Sequence, residues 1–370
     1  MRRDVAEAAT FLLHLVLVLG AAKIAGELFQ RLHQPGLIGE ILVGLLLGPT
    51  LLGLLPSFDV VDALGVSVAL ATDAEILLAL AQIGVLLLLF EVGLETDFQA
   101  FRRTGLSAGL VGFYGVAFSL VIGAAGSYLL APRIDWVLTP NAQANPILLH
   151  IFVGATLAAT SVGITARVLS DLKATRSPEA QIILGAAVFD DVLGLIVLAL
   201  VSAFASAAAV TALGVAKIFV VALGFFVAAI LVGVWAVPRL MRWVHRAFKA
   251  DYVHLGFAMF VMFLVSYLAT LAGLAAIVGA FAAGLAFNGS EHRHVIYEHV
   301  RPVGSLFISF FFVILGARIN LHEITGQTAV LVLGVGLLLT VTGILGKLAA
   351  GWGVVRTKAS RYVVGVGMVP

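Results

Sequence analysis

The sequence predicts an all-α polytopic membrane protein built from inverted repeats. Three observations carry that expectation. Of the 370 residues, 61% are hydrophobic and only 11% are charged, and the mean hydropathy is +1.12. Soluble domains instead carry about 25% charged and about 45–50% apolar residues. The apolar residues gather into windows of the length that crosses a bilayer, about 20 residues of helix. Finally, two pairs of windows far apart in the chain contain matching short stretches.

Eleven full windows fall at about 8–29, 37–54, 76–94, 105–130, 147–170, 179–204, 211–237, 255–271, 273–288, 303–318 and 328–354, and a twelfth opens near Tyr362. The first follows Met1-Arg2-Arg3, but Asp4 and Glu7 interrupt the basic start and no signal-cleavage site follows, so it reads as a span. Between the second and third windows, Thr50 to Glu75 forms a long acidic loop without a basic residue. The fifth window holds Thr160-Ser161-Val162-Gly163-Ile164-Thr165, and the sixth holds Asp190 and Asp191 near its middle. A tight connection at Ala272-Gly273 divides the eighth from the ninth. The eleventh carries Lys347 among small residues.

Orientation follows from loop charge. With the N-terminus outside, the inner loops hold 15 of the 22 Lys and Arg residues and the outer side holds only Arg2, Arg3, Arg133 and Arg318. That asymmetry is the positive-inside pattern.

The repeat appears once the spans are numbered. Ile38-Gly39-Glu40-Ile41-Leu42-Val43-Gly44-Leu45 matches Val278-Gly279-Ala280-Phe281-Ala282-Ala283-Gly284-Leu285 at an offset of 240 residues. Phe90-Glu91-Val92-Gly93-Leu94 matches Val313-Ile314-Leu315-Gly316-Ala317 at an offset of 223. An odd number of spans separates each pair, so the copies run in opposite directions, as in many secondary transporters.

The chemistry concentrates in a few intramembrane groups. A carboxylate at bilayer depth costs roughly 2.5–3.5 kcal/mol on insertion scales, so two adjacent ones need a partner or a use. Asp190 and Asp191 point about 100° apart on a helix and therefore do different jobs. One faces a cavity and binds a cation or protons; the other turns to a basic partner, for which Lys347 is the candidate. The hydroxyl and glycine residues from Thr160 suit a locally unwound helix whose freed carbonyls and hydroxyls coordinate a cation, or small residues that let helices approach closely. Taking a carboxylate out of water favours its neutral form, so protons and cations compete for one charge. That competition is coupling. A cation that breaks an Asp–Lys pair also releases a proton from the lysine, which makes exchange electrogenic.

Other polar residues carry less. Lys23 and Lys217 lie nearer span ends and can snorkel. Glu40 and Glu91 read as solvated structural residues at span ends, with a lining or gating role as the alternative. The nine histidines form no ligand spacing, although His292, His294 and His299 share one inner loop with Arg293 in a position to tune a pH response. The absence of cysteine excludes thiol catalysis, disulfides and cysteine metal sites in this chain. The net charge of +2 and scattered basic residues argue against nucleic-acid binding. No phosphate-binding loop, nucleophile elbow or zinc motif is present. An intramembrane aspartyl protease needs two facing aspartates on separate helices, which adjacency disfavours; a channel is disfavoured by Lys347 and the repeat.

Thr160–Leu169 (T-S-V-G-I-T-A-R-V-L), Ile183–Ala199 (I-L-G-A-A-V-F-D-D-V-L-G-L-I-V-L-A) and Ile344–Lys347 (I-L-G-K) resemble the NapA-type bacterial sodium/proton antiporters, in the second branch of the monovalent cation/proton antiporter superfamily. Residues 34–49 and 88–96 are similar to early helices of the same family. The resemblance implies an antiporter fold with crossed broken helices, in one transmembrane unit over 1–370. It implies a homodimer in the bacterial inner membrane that serves pH homeostasis, without a cofactor. Scaffold and dimerisation helices would fall mainly in 8–75 and 205–290, and an elevator-like mobile core mainly in 76–204 and 300–370. Asp191 would be the principal cation- and proton-binding carboxylate, Asp190 the partner of Lys347, and Thr160 and Ser161 would line the helix break. The cargo implied is sodium or lithium against protons, with potassium exchange or efflux as the alternative. The family pattern continues past Met368-Val369-Pro370, so the second broken helix is expected to be incomplete here.

Overall fold

The computed structural model describes residues 2–58, 72–95, 98–138, 146–158, 160, 162–205, 212–248, 252–287, 290–319, 321 and 326–369. Among them the regular structure is helical, with no strand. In chain order the helices are α1 (Arg2–Arg31), α2 (Gly36–Leu47), α3 (Thr72–Glu95), α4 (Phe98–Leu138), α5 (Pro146–Ala158), α6 (Val162–Asp171) and α7 (Pro178–Ala205). There follow α8 (Ala212–Ala247), α9 (Val253–Leu271), α10 (Ala276–Ala286), α11 (Arg293–Ala317), α12 (Gly326–Ala350) and α13 (Arg361–Gly367). Eight helical segments among the described residues are long and apolar enough to cross a membrane. The protein is a multi-pass membrane protein.

Helix ends depart from the apolar windows for local reasons. The window at 37–54 yields a helix that stops at Leu47, because Gly48 is extended (φ −65°, ψ 172°) and precedes Pro49. A proline disfavours helical backbone at the residue before it and offers no N–H of its own. The window at 147–170 is two helices, since Thr160 lies outside both α5 and α6. Elsewhere α4, α8 and α11 run past their apolar windows into polar sequence.

Two compact units are distinguishable: Met1–Glu91 with His294–Thr325, and Val92–Arg293 with Gly326–Pro370. The first has a core of Val18, Ala22, Leu47, Phe58, Leu77, Phe310 and Val313. In a bilayer, lipid tails are as apolar as leucine, so helices associate through close packing of small residues. That is how α2 meets α11: Gly44 lies on the Val313 backbone and Gly316 on the Ile41 carbonyl. In the second unit, α4 packs against α5, α7 and α12. Below them Val111, Ile182, Ile183, Ala186, Ala350, Val364 and Met368 form a buried cluster that seats α13.

The α1–α2 and α9–α10 hairpins are built alike. Leu32, His33 and Gln34 donate backbone N–H groups to Leu28, Gln30 and Phe29; Ala272, Gly273 and Leu274 donate to Leu268, Thr270 and Ala269. Both turns pass through left-handed backbone, at His33 (φ 58°) and Gly273 (φ 80°). A Cβ on Gly39 would lie 2.5 Å from the Ala25 carbonyl oxygen, and one on Gly279 would lie 2.6 Å from that of Val265. Every one of these pairs is separated by 240 residues.

Candidate functional site

The break between α5 and α6, the middle of α7 and the last turn of α12 converge in the second unit. α5 ends at Ala158, which leaves its last carbonyls without helical partners. Lys347, 1% exposed on α12, donates one hydrogen bond to the Ala158 carbonyl oxygen at 2.5 Å. It donates a second to Thr160 Oγ1 at 2.5 Å and a third to Asp190 Oδ2 at 2.6 Å. An ammonium has three donors, and all three are used. Thr160 in turn donates its hydroxyl to Asp190 Oδ2 at 2.5 Å. Asp190 is fully buried and Thr160 is 2% exposed.

Asp190 Oδ2 thus accepts from both Lys347 and Thr160, whereas Oδ1 has no hydrogen-bond partner among the described residues. Oδ1 faces glycines of α4. A Cβ on Gly112 would lie 3.3 Å from it, and one on Gly115 would lie 3.7 Å from it and 3.6 Å from Lys347 Nζ. A Cβ on Gly112 would also lie 2.9 Å from Phe189 Cβ and 3.0 Å from the Ala186 carbonyl oxygen, so glycine there lets the α4 backbone close on α7 beside the carboxylate. Gly346 completes the arrangement: a Cβ there would lie 2.6 Å from Ser119 Cα, so its absence lets α12 approach α4 and carry Lys347 inward.

Of the residues singled out from sequence, the structure brings Asp190, Lys347 and Thr160 together. Asp191 lies on α7, with its side chain outside the described residues, and Ser161 is outside them altogether. The Ala158 carbonyl and the α4 glycines carried no charge or motif to mark them. Lys23 is exposed and donates to the Ser305 carbonyl at 2.7 Å; the side chain of Lys217 is not described. The expected solvated placement is overturned for Glu40, while Glu91 is half-buried. Glu40 is 3% exposed and accepts from Ser309 Oγ at 3.2 Å, and Glu91 Oε1 is buried against Gly304. Glycine and serine on α11 make the room that the sequence windows did not reveal. His294 and His299 lie on α11, not in a loop.

A hydrogen-bonded, solvent-free ion pair at a helix break is an arrangement that binding of a competing cation can open and close. The family model described as sodium/hydrogen exchanger, transmembrane, matches residues 15–370. The chain belongs to that family. This exchanger-family chain is 32% identical to the high-affinity Na(+)/H(+) antiporter NhaS3 of Synechocystis, over 98% of its own length and 80% of the relative's. It is 31% identical to the Na(+)/H(+)-K(+) antiporter GerN of Bacillus cereus, over 97% and 84%. Among solved structures, the sodium proton antiporter MjNhaP1 from Methanocaldococcus jannaschii at pH 8 superimposes with a TM-score of 0.63 at 19% identity, covering 98% of this chain and 85% of that one. That likeness establishes a common fold. The family is one of transporters, not enzymes, and its transported ions are substrates rather than cofactors.

Proposed function

We propose that the chain is a secondary sodium (or lithium)/proton antiporter that exchanges cytoplasmic cation for external protons by alternating access, electrogenically. The observation that carries this reading is the buried Lys347–Asp190 pair at the α5–α6 break. A buried pair is held by mutual attraction that must offset the desolvation of both ions. A cation entering beside Asp190 and Asp191 competes with the ammonium for carboxylate charge. Once displaced, Lys347 is a desolvated cation beside a second cation, and loss of its proton removes that repulsion. Asp190 Oδ1 and the Thr160 hydroxyl are hard oxygen donors suited to such an ion. Asp191 is assigned as the principal cation- and proton-binding carboxylate and Ser161 as a lining residue of the break.

The same reading includes eleven spans and the start of a twelfth, with an inverted repeat. The offset of 240 residues that relates the two hairpins in every turn hydrogen bond and in the Gly39 and Gly279 contacts supports the repeat. The bacterial antiporter relatives support a bacterial inner membrane, and loop charge supports an external N-terminus. So does the end of α8, where Arg239 stacks 4.4 Å over the exposed Trp235 ring beside Arg242 and Arg246, a combination suited to the lipid headgroup level. A homodimer is assigned to helices in 8–75 and 205–290, and elevator movement to a core in 76–204 and 300–370. That division groups helices by shared motion, whereas the compact units group them by present packing.

Proteoliposomes with an internal pH dye test the reading. Sodium or lithium should collapse an imposed pH gradient, and Asp191→Asn should abolish the response. Preference for potassium over sodium would establish the potassium exchanger instead. Conductance without saturation would establish a channel, and no proton movement with any cation would overturn exchange.

A further inference from the structure

We propose that His245, His254 and His292 form a binding site for a divalent transition-metal ion of the zinc, nickel or copper type. The three come from the last turn of α8, the first turn of α9 and the short segment before α11. Separations of 9 and 38 residues hide them in the sequence; tertiary packing brings them together. Their ring centroids lie 4.8–5.2 Å apart, and one nitrogen from each falls within 4.8 Å of the others. His245 Nδ1 and His254 Nε2 are 3.1 Å apart.

In a tetrahedral site with metal–nitrogen bonds of about 2.0–2.1 Å, neighbouring ligand nitrogens sit roughly 3.3 Å from one another. One pair is already at that spacing, and ring rotation of the third histidine closes the rest. A second observation points the same way. His292 Nδ1 is buried without a hydrogen-bond partner among the described residues. The segment that carries it is held in place, since its backbone N–H donates to Ser290 Oγ at 3.3 Å and Arg293 Nε donates to the Leu94 carbonyl at 2.6 Å. His245 is exposed and gives an ion a route in.

The donor set fixes the class of ion. Three neutral imidazoles suit zinc, nickel and copper, while sodium, magnesium and calcium prefer oxygen. The site is thus chemically separate from the carboxylate and hydroxyl groups near Asp190. Three protein ligands leave a fourth position open for water, and a bound ion ties the end of α8 to the start of α9 and to the segment leading into α11. In the orientation proposed above, this site faces the cytoplasm.

The test uses the full chain purified without a polyhistidine tag, stripped with chelator and titrated with zinc or nickel by calorimetry. One saturable ion per chain is expected. His254→Gln and His292→Gln should each weaken it about tenfold or more, since even outer-shell partners of a metal cost that much. His294→Gln and His299→Gln should leave it unchanged, and magnesium should not compete. Cobalt added to the unsubstituted chain should give the intense visible bands of tetrahedral coordination, a readout that depends on no variant folding. Absence of saturable binding, an isotherm indifferent to the two substitutions, or a weak octahedral cobalt spectrum would overturn the site.

Discussion

Lys347 Nζ and Asp190 Oδ2 lie 2.6 Å apart with side-chain exposures of 1% and 0%, so each ion is the other's compensation for leaving water. Removing one partner of such a pair typically costs about 3–5 kcal/mol, because it strands a buried charge. Asp190→Asn and Lys347→Met should therefore each lower the melting temperature in detergent markedly. The double variant should be more stable than expected from the two single losses, since it strands no charge. Additive losses in this double-mutant cycle would contradict an energetically coupled pair.

Asp191 should behave oppositely to its neighbour. Asp191→Asn is expected to abolish sodium-driven proton movement while leaving the melting temperature close to that of the unsubstituted chain. Lys347→Gln is expected to make any remaining sodium transport insensitive to membrane potential, because in the proposed exchange the lysine supplies the extra proton. Flux measured with and without valinomycin-clamped potential checks both, and a loss of stability in Asp191→Asn equal to that in Asp190→Asn would remove the division of labour.

Gly346 positions Lys347 without touching the ion pair. A Cβ at 346 would fall 2.6 Å from Ser119 Cα, 2.7 Å from Ser119 Oγ and 2.8 Å from Ser119 N, so backbone obstructs it as well as the hydroxyl. Gly346→Ala should cost about 1–3 kcal/mol, as overpacking commonly does, and slow exchange by shifting α12 outward. Ser119→Gly should fail to rescue it, because removing the hydroxyl leaves the obstructing backbone atoms in place. Rescue would show that the side chain alone sets the approach of α4 to α12.

Charge in an apolar window is what made much of this legible. Asp190, Asp191 and Lys347 stand out because ionised groups are scarce and costly at bilayer depth. The hydroxyls and glycine from Thr160 marked the break between α5 and α6. The rest of the site is backbone: the Ala158 carbonyl, and the α4 backbone that Gly112 and Gly115 bring up to the carboxylate. Neither has a side chain to announce it. Glu40 read as solvated because windows place a residue along an axis and not around it, and burial depends on which helix faces it, here α11 with Ser309. The His245, His254 and His292 cluster was invisible for a related reason, since no periodicity links residues on three segments.

The hairpin correspondence extends to a reciprocal pair of glycines. Gly316 on α11 packs against the Ile41 carbonyl on α2, and Gly93 at the end of α3 packs against the Phe281 carbonyl on α10. Ile41 and Phe281 are separated by the offset of 240 residues, and Gly93 and Gly316 by 223, the two offsets of the sequence repeat. If each crossing is a copy of the other, each tolerates a methyl group equally badly. Gly93→Ala and Gly316→Ala should lower thermal stability by similar amounts, about 1–3 kcal/mol each. Gly20 and Gly105 are helical and have no heavy atom within 4 Å of a built Cβ, so alanine there should be neutral or stabilise by about 0.5–1 kcal/mol through reduced backbone entropy. Melting curves of the four variants decide the matter. Equal losses at 93 and 316 against none at 20 and 105 support duplicated crossings, whereas a loss at only one of the pair would mean that the shared offsets do not reflect shared packing.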